Sequence, residues 1–282
     1  MTSNLGESES VFMLRDTQYL RKQFKLPEVE HRYGSNVHLL SDPFLFTTLA
    51  RLCRPDCYQP LINQLLNTIY REMVTYVVNN EFPLRETTLE TRMWTQHPEG
   101  KFTGLIIDPD IRVICVNLAR AGTVPSQICF DSFNYILNPE GVRQDHIAIN
   151  RKVDDHEKVV GTNLGGVKIG GDVKDAYVVV PDPMGATGST LKTAMEIYRK
   201  LGPAKKYIAI HLVVTPEYLK AVNEECPELT VYAVRLDRGL SPAHCLEAIP
   251  GAHWAEEKGL NSKQYIVPGA GGLGEVINNS YV

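Results

Sequence analysis

Ala176-Tyr-Val-Val-Val-Pro-Asp-Pro-Met-Gly-Ala-Thr-Gly-Ser-Thr190 runs from an apolar, β-branched segment through an acidic residue into a loop of small residues. Beyond it Leu191, Ala194, Met195, Tyr198 and Leu201 fall on one face of a helix, which Gly202-Pro203 stops. A strand that turns through small residues into a helix sets backbone N–H groups and a helix N-terminus around a single phosphate. Asp182, at the strand end beside the loop, is placed to accept hydrogen bonds from sugar hydroxyls. Phosphate and sugar contacts side by side point to a phosphorylated ribose.

Two familiar phosphate motifs do not fit. A P-loop ends in Gly-Lys-Ser/Thr, whereas Gly185-Ala-Thr-Gly-Ser-Thr190 has no lysine. Gly269-Ala-Gly-Gly-Leu-Gly274 matches G-x-G-x-x-G in letters. With only Glu275 to Val282 after it, no crossover helix, second strand or ribose-binding acid is expected to follow, so a dinucleotide site is not expected.

Outward from this stretch the chain alternates. Tyr207 to Val214 reads as a strand, a helix begins near Thr215-Pro-Glu217, and Thr230 to Leu236 reads as another strand. Upstream, Ile111 to Asn117 is an apolar strand running into Leu118-Ala-Arg-Ala-Gly122, and Asp42 to Asn80 carries Leu61, Leu65, Leu66, Ile69, Met73 and Val77 at helical spacing. Alternating strands and helices predict an α/β fold: a largely parallel twisted sheet flanked by helices on both faces. Ligands of such sheets lie beyond the carboxyl ends of the strands, where Arg120 and Asp182 both fall. Arg151 to Gly171 is polar and rich in Gly, Asp and Lys, and reads as a loop or a β-hairpin.

Composition sets the outer bounds. The 282 residues are 43% hydrophobic and 22% charged, with net charge −4, which gives no general reason to expect nucleic acid or an anionic membrane as partner. No apolar run approaches the roughly 20 residues of a membrane span. Met1 to Glu9 lacks the pattern of a secretory signal, so a cytoplasmic protein is expected. The six cysteines are dispersed; neither a disulfide framework nor a zinc site at Cys53-x-x-x-Cys57 is expected, and Cys115 reads as a core residue. H-E-x-x-H and G-x-S-x-G are absent, which leaves hydrolase chemistry without a basis. Residues 1–35 read as an N-terminal arm and 36–282 as one domain.

Val180-Pro-Asp-Pro-Met-Gly-Ala-Thr-Gly-Ser-Thr190 resembles the phosphoribosyl-pyrophosphate (PRPP) loop of uracil phosphoribosyltransferases. The likeness continues in Asn36-Val-His-Leu-Leu-Ser-Asp-Pro43, in Ala119-Arg-Ala-Gly122, in Asp145-His-Ile-Ala-Ile-Asn-Arg151 and in Tyr265-Ile-Val-Pro-Gly269. It implies a type I phosphoribosyltransferase fold with a C-terminal hood over the base, and conversion of uracil and PRPP to UMP and pyrophosphate. It assigns Ala186, Thr187, Gly188, Ser189 and Thr190 to the 5′-phosphate, Asp182 to the ribose, and Arg120 and Arg151 to the pyrophosphate. Tyr265, Ile266, Gly271, Gly272 and Leu273 fall to the base, Arg120 and Asp182 being the catalytic pair. Mg²⁺ is implied as a companion of PRPP with no metal ligand set of the protein's own, and a homodimer or larger homo-oligomer is implied as well.

The tail departs from the family. Where relatives read Leu-Gly-Asp-Ala-Gly-Asp-Arg after Pro-Gly, this chain reads Ala270-Gly-Gly-Leu-Gly-Glu-Val276, with Gly272 in place of the first Asp and Glu275 in place of the second. Gly239 to Asn261 is longer than the usual link. A homologue that keeps the PRPP site but has lost or altered its base specificity is the alternative this leaves.

Overall fold

Tyr177 to Pro181 are apolar at every position because both faces of their strand are covered. Tyr177 and Val179 enter one core and Val178 and Val180 the other, following the two-residue period of a strand. The computed structural model describes residues 24–153 and 159–280, with backbone alone at 150–153 and 159–163. Most of the arm, with Met1 to Glu9, lies outside the described residues, as does the side chain of Arg151.

The order is β1 (Val37–Leu39), α1 (Pro43–Leu52), α2 (Leu61–Glu81), β2 (Leu84–Glu90), β3 (Lys101–Ile107), β4 (Val113–Ala119) and α3 (Thr123–Ile136). After it come β5 (Val142–Val153), β6 (Val159–Lys168), β7 (Tyr177–Pro181), β8 (Met184–Gly185), α4 (Ser189–Arg199), β9 (Lys206–Val214), α5 (Pro216–Glu225), β10 (Leu229–Leu236), α6 (Ala243–Glu247) and α7 (Leu273–Asn278). Eight strands form the main sheet in the order β1-β10-β9-β7-β4-β5-β6, with β8 against β9. Every pair is parallel except β5 and β6. Helices α1, α2 and α3 supply one core, in which Leu45, Leu66, Ile69 and Phe133 are fully buried. Helices α4 and α5 cover the other face with Leu191, Met195, Tyr198 and Leu219. The α/β architecture expected from the sequence is therefore present.

The structure refines the sequence reading at three places. The helical stretch 42–80 is two helices, because Pro55 and Pro60 lie in the segment between Leu52 and Leu61 and cannot donate to a helical ladder. Asp42 caps the first, accepting from Phe44 N at 2.7 Å and Leu45 N at 3.1 Å, and it accepts from Tyr76 Oη at 2.6 Å, which ties α1 to α2. Of the two forms expected for 151–171, the described residues bear out the paired one, β5 running antiparallel to β6. The β2–β3 hairpin, a separate two-stranded sheet, had no counterpart in the sequence reading. Among the described residues no helix is long and apolar enough to cross a membrane.

Candidate active site

Asp182 follows directly on β7, and its backbone is held twice: its N–H donates to Ile210 O at 3.1 Å, and its carbonyl accepts from His211 Nδ1 at 2.5 Å. That bond fixes the His211 tautomer, so its Nε2 accepts from Tyr218 Oη at 2.6 Å. His211 is fully buried, and burial lowers its pKa to about 4, so the ring is neutral at physiological pH. A neutral ring between a carbonyl and a phenol sets the strand end without adding charge beside the acid.

From Asp182 the chain turns through β8 into the small-residue loop. Gly188 adopts φ +82°, ψ −9° as N-cap of α4, a left-handed conformation that glycine takes without penalty. No side chain caps this helix, so its first N–H groups open toward the loop. Thr187 Oγ1 and Ser189 Oγ lie 3.0 Å apart, and Thr215 Oγ1 donates to Ala186 O at 2.7 Å from beneath. The result is a small cradle lined by Ala186, Thr187, Gly188, Ser189 and Thr190, with Asp182 at its edge.

Arg120 stands at the end of β4, next to β7 in the sheet, on the far side of the same opening. The Ala119–Arg120 peptide bond is cis. Gly122 closes the turn where a Cβ would meet Leu118 O at 2.7 Å and Pro181 O at 3.0 Å, so this position brings the ends of β4 and β7 into close approach. The guanidinium is exposed and donates to Ser280 Oγ at 2.7 Å.

The C-terminal segment forms the third wall. Val267 N donates to Gly259 O at 2.8 Å and Asn261 N to Tyr265 O at 2.9 Å, folding 259–267 back on itself. Asp237, just past β10 and almost fully buried, accepts from Gly269 N at 2.7 Å and is clamped by Arg235 at 2.6 and 2.8 Å. Arg235 also donates to Gly269 O at 3.0 Å. The tail is thus pinned to the carboxyl end of the sheet. Gly272 is the N-cap of α7, and a Cβ placed on it would collide with Glu275 Oε2. The Glu275 carboxylate therefore fills the space that a side chain at 272 would take.

Arg120, Asp182, Ala186 and Thr190 line one cleft of about 530 Å³ together with Tyr265, Ile266, Gly271, Gly272 and Leu273. Thr187, Gly188 and Ser189 line the adjoining cradle. Arg151 lies in β5, paired through its backbone with Thr162, and its side chain is outside the described residues. The cleft sits beyond the carboxyl ends of β4 and β7, as open parallel sheets place their ligands. Sequence reasoning passed over His211 and the Arg235–Asp237 clamp. An acid immediately after a strand, as at Asp182, was the available signal for Asp237.

Residues 39–252 match the sequence profile of the family described as Uracil phosphoribosyltransferase. The chain belongs to that family. A uracil phosphoribosyltransferase of Variovorax paradoxus is 28% identical over 243 residues, 86% of this chain and 98% of its own length. One from Rhodococcus jostii is 29% identical over 239 residues, 85% of this chain and 96% of its own. The solved AQ2163 protein of Aquifex aeolicus superposes with a TM-score of 0.65 at 21% identity, covering 87% of this chain and 99% of that one, a likeness of fold. The parallel sheet, the strand–loop–helix and the cleft are the frame of a phosphoribosyltransferase. The family profile ends at residue 252, before the tail that carries Gly272 and Glu275.

Proposed function

We propose that the protein joins uracil to the phosphoribosyl group of PRPP, giving UMP and pyrophosphate. The observation that carries this is the convergence of the phosphate cradle, Asp182, Arg120 and the clamped tail on one cleft. The 5′-phosphate sits in the 186–190 loop, on backbone N–H groups and the α4 N-terminus. Asp182 accepts from the ribose hydroxyls. Arg120 faces the pyrophosphate, with Arg151 as a second cation from β5. Tyr265, Ile266 and Leu273 bound the base, and the Gly271–Gly272 turn presents backbone groups to its edge.

In the reaction uracil N1 bonds to the anomeric carbon as the bond from that carbon to the pyrophosphate oxygen breaks, and the N1 proton is released. Charge builds on the ribose, as in glycoside cleavage, and on the departing pyrophosphate. Arg120 stabilises the second of these, and holding base and sugar in line supplies much of the rate. Glu275, whose carboxylate occupies the space over Gly272, accepts an N–H of the base. Mg²⁺ would be carried by PRPP, and the Asp182 carboxylate bordering the cleft is a hard oxygen donor that suits it. When bound it offsets the charge of the leaving group.

Incubation of the protein with PRPP, uracil and Mg²⁺, followed by chromatography, tests the reading: UMP and pyrophosphate are expected in equal amounts. PRPP consumption with cytosine or another pyrimidine, and none with uracil, would replace the base. PRPP binding with no turnover on any base would favour the binding homologue. We propose further that the protein works in the cytoplasm as a homodimer, joined through the β2–β3 hairpin, where Leu84, Leu89 and Leu105 are exposed.

A further inference from the structure

The long link between β10 and the tail carries its own cluster of ligating groups. His244 lies on α6, and His253 and Glu256 lie on the turn that follows Gly251. Their ligand atoms all fall within 4.8 Å of one another. His244 Nε2 stands 3.3 Å from Glu256 Oε2, and the two imidazole rings are 5.2 Å apart at 82°. A tetrahedral ion with bonds of ~2.0–2.1 Å sets neighbouring ligand atoms about 3.3 Å apart, so the His–Glu edge already has the right length. All three side chains are exposed, so ring rotation can bring His253 to the same distance. Cys245 Sγ lies 3.4 Å from the same His244 nitrogen, but the residue is fully buried beneath it.

The backbone under the cluster is held in place. Arg238 donates to Cys245 O at 2.6 Å and Ala248 O at 3.0 Å, fixing α6. Its partner Glu257, next to Glu256 in the chain, accepts from Arg238 at 2.9 Å, from Gly251 N at 2.9 Å and from Tyr33 Oη. Trp254, next to His253, donates through Nε1 to Pro216 O at 2.9 Å. Both halves of the ligand set therefore stand at a fixed separation before any ion arrives, which reduces the ordering cost of binding.

We propose that His244, His253 and Glu256 form a zinc site, with water as the fourth ligand, that clips the 239–261 segment. Two imidazole nitrogens and one carboxylate suit a borderline ion such as Zn²⁺ and do not suit Mg²⁺ or Ca²⁺. None of the three residues lines the cleft, so the site is separate from the transfer chemistry.

The test is calorimetric titration of ZnCl₂ into the tag-free, chelator-stripped full chain, with thermal unfolding followed alongside. One equivalent of zinc is expected to bind and to raise the unfolding midpoint, and neither effect is expected with Mg²⁺. His253→Ala and Glu256→Ala are each expected to weaken binding at least about tenfold and to remove the thermal shift. Should a variant fold poorly, Co²⁺ added to the unmodified protein gives an independent reading. The intense visible bands of a four-coordinate N/O site support the proposal, and the weak spectrum of a hydrated ion overturns it. No stoichiometric zinc heat, or equal binding by wild type and the double variant, would leave a His244–Glu256 contact only and overturn the site.

Discussion

Asp182, His211 and Tyr218 form a chain of contacts in which Asp182 borders the cleft, Tyr218 borders the adjoining cradle and His211 borders neither. Asp182→Asn keeps the backbone bonds that hold the strand end. It is expected to lower kcat/KM about a hundredfold or more, with the unfolding midpoint unchanged. His211 acts on stability instead. Its folded pKa of about 4 lies below the ordinary 6.5, so between those values the unfolded chain takes up a proton that the folded chain refuses. The stabilisation is complete above pH 6.5 and is lost as pH falls toward 4, by about 3 kcal/mol. Denaturant unfolding across that range is expected to show this slope, and His211→Gln to flatten it. At Gly272, an added Cβ would displace the Glu275 carboxylate. Gly272→Ala is therefore expected to raise the KM for uracil and leave that for PRPP within about twofold.

At the scale of elements, α2 carries Tyr70, fully buried and with no hydrogen-bond partner for its hydroxyl among the described residues. Tyr70→Phe removes a desolvated, unpaired group and is expected to be neutral or to stabilise the fold by up to about 1 kcal/mol, read by chemical denaturation. The strand–loop–helix of β7 and α4 was legible in the sequence because each part obeys a local rule. A strand buried on both faces is apolar throughout, and a phosphate loop needs small residues before a helix. The β2–β3 hairpin was not legible, because β2 is exposed at nearly every position and so carries no core-facing alternation. The break between α1 and α2 was marked by Pro55 and Pro60, but the apolar spacing of Leu61 to Val77 dominated the reading. In the site, residues that touch the cleft follow motifs, whereas Arg235 and Asp237 act through buried bonds that leave no such pattern.

On the whole-molecule scale the cleft joins segments far apart in the chain, from Leu118 to Glu275; the Asp237 clamp holds the start of the tail against it, and Gln59 to Ile277 O and Arg120 to Ser280 tie its end. Asp237→Asn is expected to weaken uracil binding about tenfold or more while PRPP binding survives, because the phosphate cradle belongs to other elements. Calorimetry with each ligand separately checks this. Leu84 and Leu105 share one face of the hairpin by register, and both are exposed. Replacing both by Glu tests the proposed dimer: light scattering is expected to give a dimer for the unmodified protein and a monomer for the double variant. The clamped tail carries a consequence for base choice. The proposed sugar-phosphate cradle is built onto the sheet, where a change disturbs two cores, whereas the wall carrying Gly272 and Glu275 is a short strap laid across the sheet's carboxyl end. Substitutions in that strap are therefore expected to change which base is accepted while leaving the proposed handle for activated ribose in place.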